Sequence, residues 1–185
     1  MVILQRYIIK GNMRYMVGLS RGTRCYTLVS EGKREFLVQQ TPEKIIEETC
    51  SYFGFDFQGA LKAAGKILEN DKLGAFLVDP NDTICLFSSK SPLRSDSYFI
   101  NVQHVHFLEE TGCETKVVFN TGQMVTIPTR KVHLLARNNA AKKLRRVLLE
   151  RNSSNESFFN RSYSEYHFCR ETGKYMLKED EFDNN

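Results

Sequence analysis

The chain has 185 residues, 41% of them hydrophobic and 26% charged, with 13 Phe and 8 Tyr. That length suits one globular domain with a tail, and the apolar and aromatic content removes it from the disordered class. No run approaches the roughly 18 to 20 apolar residues of a membrane helix. Arg6 and Lys10 stand where a signal peptide would need its apolar stretch, so an intracellular protein with no membrane partner is expected.

The net charge of +4 is unevenly spread: residues 1–40 carry +5 and residues 129–151 carry +7, while 41–75, 76–128 and 152–185 carry −2, −3 and −3. Two basic patches on an otherwise acidic chain are the footprint of a polyanion binder, since Lys and Arg gain by displacing counterions condensed on phosphates. A solvated helix face is the plain alternative. The five cysteines, Cys25, Cys50, Cys85, Cys113 and Cys169, are odd in number and lack a Cys-x-x-Cys pair. They predict reduced thiols, not a disulfide framework or a zinc finger.

In chain order, Leu4–Ile9, Arg14–Leu19, Cys25–Val29 and Glu35–Gln39 are β-type runs separated by Gly-containing breaks, which predicts a meander. Thr41-Pro42-Glu43 then opens a helix, with Thr as N-cap and Pro at the first helical position. Its apolar face is Ile45, Ile46, Thr49, Cys50 and Phe53, and Gly54 ends it. Asp56 caps a second helix carrying Phe57, Ala60, Leu61, Ala64, Ile67 and Leu68 at helical spacing. Ala75–Phe87 reads as a hairpin around Asp79-Pro80-Asn81-Asp82. Tyr98–Leu108, Thr115–Phe119 and Gln123–Ile127 read as further strands, with a turn at Asn120-Thr121-Gly122.

Thr129–Arg151 contains no Pro or Gly and predicts a basic amphipathic helix. Ala140, Leu144, Val147 and Leu148 form its apolar stripe, Lys142, Arg145 and Arg146 its other side, and Asn138-Asn139 is a candidate interruption. The domain is set at residues 1–151. Residues 152–185 open on Asn-Ser-Ser-Asn-Glu-Ser and end acidic, which predicts a polar, partly disordered regulatory tail with an aromatic cluster from Phe158 to Phe168.

Enzyme chemistry finds little support. Gly18-Leu19-Ser20-Arg21-Gly22 matches a nucleophile elbow, but Thr23–Val29 reads as a strand where that motif needs a helix. His104 and His106, two apart on a strand, would face the same way, yet no Asp or Glu shares their row. There is no Gly-rich phosphate loop. No enzyme, metal or cofactor is expected.

Cys50-Ser51-Tyr52-Phe53-Gly54 is followed by Phe57, Gly59 and Lys62-Ala63-Ala64-Gly65. Val78-Asp79-Pro80, Leu86-Phe87, His104-Val105, Thr115 through Gly122 and Ile127-Pro128 come after it. In this order and spacing the sequence resembles the ComK family of competence transcription factors. The resemblance implies a sequence-specific activator of DNA-uptake genes that binds AT-rich promoter boxes in double-stranded DNA through the minor groove. It also implies a homo-oligomer, dimer or tetramer, on DNA, RNA polymerase as a partner, and control by adaptor-mediated proteolysis, with Tyr175-Met176-Leu177-Lys178 as a partial match to the adaptor-binding run. The charge map fits a narrow A·T minor groove, whose negative potential attracts Arg and Lys.

The expectation is therefore an α+β domain: a mostly antiparallel sheet with two internal helices and a basic C-terminal helix, in a cytoplasmic, nucleoid-associated protein. The expected DNA ligands are Arg130, Lys131, Arg137, Lys142, Lys143, Arg145 and Arg146, with Arg14, Arg21 and Arg24 from the first basic patch. The rival expectation is an interaction module whose basic helix docks an acidic partner.

Overall fold

The computed structural model describes residues 2–185 except Thr23, Asp71, Asp82, 163–165, 170–173 and 178–185, and it leaves out the side chains of Arg21 and of residues 154–185. The chain divides into two compact units, Met1–Val147 and Leu148–Asn185.

The first unit is built on a seven-stranded sheet. In chain order its strands are β1 (Ile3–Leu4), β2 (Met13–Arg21), β3 (Arg24–Glu31), β4 (Arg34–Val38), β5 (Ala75–Asp79), β6 (Ile84–Ser88) and β7 (Tyr98–Asn101). Their spatial order is β1-β4-β3-β2-β7-β6-β5. Every neighbouring pair is antiparallel except β1 with β4. The expected meander is present, with one change at its start. Of Leu4–Ile9 only Leu4 is in a strand; Tyr7 and Ile9 are buried in the core, and Ile9 N–H donates to the Thr49 hydroxyl at 3.1 Å. An apolar run there serves packing, not pairing.

Both expected helices form. The first, α1 (Pro42–Tyr52), has the Thr41 side chain accepting from Lys44 N–H, and the second, α2 (Phe57–Leu68), has Asp56 accepting from Gly59 N–H at 2.6 Å. Each short polar side chain satisfies one of the donors a helix start leaves open. Ile45, Ile46 and Cys50 from α1 and Phe57 from α2 meet Met13, Met16, Phe76, Val78, Ile84, Leu86 and Phe99 on one face of the sheet, forming the main core. Phe57 and Phe99 both meet Phe76 edge-on, with ring centroids 4.9 and 6.2 Å apart.

β6 is buried along its whole length, so its opposite face is covered too. On this side a second, three-stranded sheet of β8 (Val105–Thr111), β9 (Glu114–Phe119) and β10 (Met124–Ile127) meets β2. Tyr15 stacks on Phe119 at 5.7 Å and 11° between ring planes. Between the sheets Val102–His104 forms a 3-10 turn, so His104 and His106 do not share a strand row as expected. His104 Nε2 lies 2.6 Å from the Gly11 carbonyl, and the His106 ring meets Phe107 edge-on. The Gly18–Gly22 elbow motif runs from β2 into the turn before β3, a strand–turn–strand context.

The helix α3 (Lys131–Ser162) continues past the expected end at Arg151 and runs unbroken through Asn138-Asn139. Its residues up to Val147 belong to the first unit. The second unit holds the rest of α3 and a hairpin of β11 (Tyr166–Cys169) and β12 (Lys174–Leu177), paired from Tyr166–Leu177 to Cys169–Lys174. The expected aromatic cluster and the adaptor-like run lie in this unit; their side chains, and Lys178 altogether, fall outside the described residues. Among the described residues no helix is long and apolar enough to cross a membrane. Cys25, Cys50, Cys85 and Cys113 are free thiols, and burial pushes Cys50 and Cys85 up to about 12, so both stay protonated and unreactive at neutral pH.

Candidate nucleic-acid interface

The start of α3 sets its orientation. Leu134, Asn138, Ala140, Ala141 and Leu144 are buried, and Val147 is half-buried, so one side of the helix is committed to the body. At 100° per residue, Lys142, Lys143 and Arg146 then project from the other side, and all three are exposed. The sequence stripe was right for Ala140 and Leu144 and missed its first members, Leu134 and Asn138. A polar residue in the row hid the period.

Not every cation of this helix faces outward. Arg145 is half-buried: with the Gln103 amide turned so that its oxygen faces the guanidinium, Arg145 Nη2 and Nε donate to it at 2.7 and 2.9 Å. Arg137 is half-buried as well and donates through Nη1 to the Ser88 carbonyl at 3.0 Å, the Ser88 hydroxyl at 3.1 Å and the Lys90 carbonyl. The Arg137 bonds tie α3 to the end of β6. Gly74 makes room for them: a Cβ there would stand 2.4 Å from Ser88 Oγ and 2.7 Å from Arg137 Nη1, at a φ of +57°. Arg130 is exposed and Lys131 half-buried at the helix start.

Arg14 departs furthest from expectation. It is the extra residue of a bulge in β2, where pairing with β3 skips from Met13 to Tyr15. The bulge keeps Met13 and Met16 in the main core and sends Arg14 inward at 2% exposure. Its Nη2 donates to Ser30 Oγ at 2.7 Å and its Nη1 to Thr121 Oγ1 at 3.4 Å, which joins the main sheet to the β9–β10 turn. Nε has no partner among the described residues, and desolvation lowers the pKa of the group. Arg14 is a structural cation, not a surface ligand.

The remaining members of the first patch sit at a hairpin tip. Gly18 through Arg21 pair with Arg24 through Thr27, while β2 meets β7 only from Tyr15 to Val17 and β3 meets β4 only from Thr27 onward. The end of the hairpin is thus a two-stranded ribbon projecting past its neighbours. Arg24 is exposed on it, opposite Arg21 in register, and Gly22 supplies the left-handed φ of +62° that the turn needs. The Arg21 side chain lies outside the described residues.

A final feature could not be read from the sequence. A groove of about 570 Å³ at the start of α3 is lined by Lys72, Lys90, Arg130, His133 and Arg137 together with Thr129, and no carboxylate is among its lining residues. It joins the α2–β5 loop, the end of β6 and the β10–α3 connection, three segments far apart in the chain.

Fold and surface together define an α+β architecture that presents cations on one helix side, in one groove and on one β-ribbon. Among the described residues no group of three or more His, Cys, Asp or Glu side chains could hold a metal ion. The ComK protein family matches residues 4–153, and the chain belongs to that family. A curated relative, the competence transcription factor of Bacillus subtilis (strain 168), is 28% identical over 96 residues, which covers 50% of this chain and 49% of the relative. The chain thus spans about half the length of the curated relative it matches. No solved structure matches it.

Proposed function

We propose that the protein is a competence transcription factor: a sequence-specific DNA-binding activator of DNA-uptake genes that reads AT-rich promoter boxes through the minor groove. The observation that carries this reading is the side of α3 bearing Lys142, Lys143 and Arg146, fixed outward by the buried row from Leu134 to Leu144, in a chain of the ComK family. An anchored helix presents charge without first having to order it, and phosphate neutralisation then supplies most of the affinity. The ribbon ending at Arg24 suits the narrow minor groove of A·T tracts, into which arginines insert. On this reading the protein acts as a dimer or tetramer on DNA and recruits RNA polymerase. Residues 152–185, net acidic, are the regulatory region and include the segment Tyr175-Met176-Leu177-Lys178 for a proteolytic adaptor. Its place of action is the nucleoid.

Base-pair replacement in a competence-promoter duplex tests the reading. Binding should collapse when the A·T boxes become G·C, whose amino group obstructs the minor groove, and survive A·T to I·C replacement, which changes only the major-groove edge. Loss on I·C replacement would overturn the minor-groove mode. Equal affinity for heparin, promoter and scrambled duplex at every salt concentration would favour a basic helix that docks an acidic protein.

A further inference from the structure

We infer that the groove at the start of α3 is a phosphate seat, and that a single backbone phosphate of the bound duplex occupies it, held by Lys72, Arg130 and Arg137 at the open end of the helix. The inference rests on the DNA-binding reading and names where one phosphate goes.

Four independent features converge on an anion. The first is the lining: Lys72, Arg130, His133 and Arg137 face one groove of about 570 Å³ with no carboxylate among its lining residues. Of its cations, Lys90 alone is neutralised among the described residues, by Asp96 at 2.6 Å. The second is Arg137, whose guanidinium is half-buried and bonded to neutral oxygens of Ser88 and Lys90 through one nitrogen. A cation held out of water without a counter-ion is costly, and an arriving anion removes that cost. Burial already lowers the Arg137 pKa, the direction a missing counter-ion gives.

The third feature is the helix start itself. Arg130 provides the first helical carbonyl, accepting from Leu134 N–H at 3.3 Å, but its side chain cannot accept a hydrogen bond as Ser, Thr or Asp would. The amides of Lys131 and Val132 have no partner among the described residues. The first turn has no acidic residue and holds Lys131 at the positive pole of the helix, where a cation is unfavourable. A sequence that loads cations onto this pole of a 32-residue helix gains only if something negative sits there. The fourth is Thr129, whose hydroxyl is buried beside the groove without a hydrogen-bond partner among the described residues. Its own carbonyl is taken by the Thr115 hydroxyl at 2.6 Å, which fixes the connection before the helix.

A phosphodiester carries one charge and several acceptor oxygens. It matches unpaired amides, a free hydroxyl and a guanidinium fork better than a carboxylate side chain would.

The double variant K72A/R130A tests this, since both side chains are exposed and neither holds the fold together. Binding to promoter duplex is measured against salt concentration. The slope of log K against log salt should fall by about 0.9, and affinity at 0.15 M salt by roughly five-fold, equally for specific and scrambled duplex. In parallel, the full chain is titrated with inorganic phosphate at constant ionic strength while the amide resonances of Lys131 and Val132 are followed; they should shift in the wild type and not in the variant. An unchanged slope overturns the inference even if free phosphate binds, because the groove would then serve a small anion. Unmoved amides overturn it as well. A wild-type chain that fails to bind duplex brings down the DNA-binding reading itself, and that outcome is distinct, since it appears before any substitution is made.

Discussion

Two regions of this molecule carry an excess of cations, +5 in residues 1–40 and +7 in residues 129–151, and use them in opposite ways. In the β2–β3 region Arg14 is swallowed by a bulge and commits its guanidinium to Ser30 and Thr121, and only the ribbon tip presents Arg24. In α3 the cations around Leu144 are sorted by helical period into Arg145, turned toward Gln103, and Lys142, Lys143 and Arg146, turned toward solvent. Charge density along a chain says where a polyanion could bind only when the local geometry has a fixed period. A helix has one. A bulged strand loses it, because one extra residue reverses the side on which all later side chains emerge.

Removing the outward cations of α3 should have the largest effect on DNA binding. In K142A/K143A/R146A the promoter-binding slope should flatten by about 2.7 if each side chain meets one phosphate, and affinity at 0.15 M salt should fall by about two orders of magnitude. Thermal stability should change little, because all three are exposed. A triple variant that binds with the wild-type slope would make α3 no different from the β2–β3 region.

The converse variant is Arg14→Ala. It opens space in the interior and leaves Ser30 without its partner, so unfolding in urea should show a loss of roughly 2–4 kcal/mol. Arg14→Met should cost less, since it fills the space and ends the desolvation of an incompletely bonded guanidinium. DNA affinity of either variant, measured where it is folded, should match the wild type. A folded Arg14→Met chain with a flattened salt slope would return Arg14 to the DNA-binding set.

What could be read from the sequence follows the same division. Thr41-Pro42 and Asp56 announce α1 and α2 because capping is local chemistry, settled within four residues. The turns that follow Asp79 and Phe119 are legible for the same reason. The first strand is not, because the pairing of Ile3 and Leu4 with Leu37 and Val38 depends on where the rest of the sheet stands. Asn138 illustrates the limit on a helix: its side chain is buried in the row between Leu134 and Ala141, where polarity argues for a break. The groove at Arg130 is beyond local reading altogether, since Lys72, Lys90 and Arg137 meet only after the sheet has formed.

A smaller effect comes from the anions of the same sheet, because carboxylates at the end of β3 and on β4 hold two tyrosines. Tyr7 donates to Glu31 at 2.6 Å and Tyr15 to Glu35 at 2.9 Å. Burial, and then these bonds to carboxylates, raise both phenols well above the ordinary tyrosine value of about 10. The sign of the linkage follows: a folded-state pKa above the unfolded one gives stability that is complete below about pH 10 and is lost as pH rises above it, because the unfolded chain releases its protons first. Urea unfolding followed from about pH 8 to 11 should therefore decline at the alkaline end. Tyr7→Phe should start about 1 kcal/mol lower, having lost one hydrogen bond, and decline less steeply. A Tyr7→Phe profile parallel to the wild type would mean that the phenol ionises in the folded chain as readily as in the unfolded one, and a profile that also coincides with it would mean that the contact with Glu31 contributes nothing to stability.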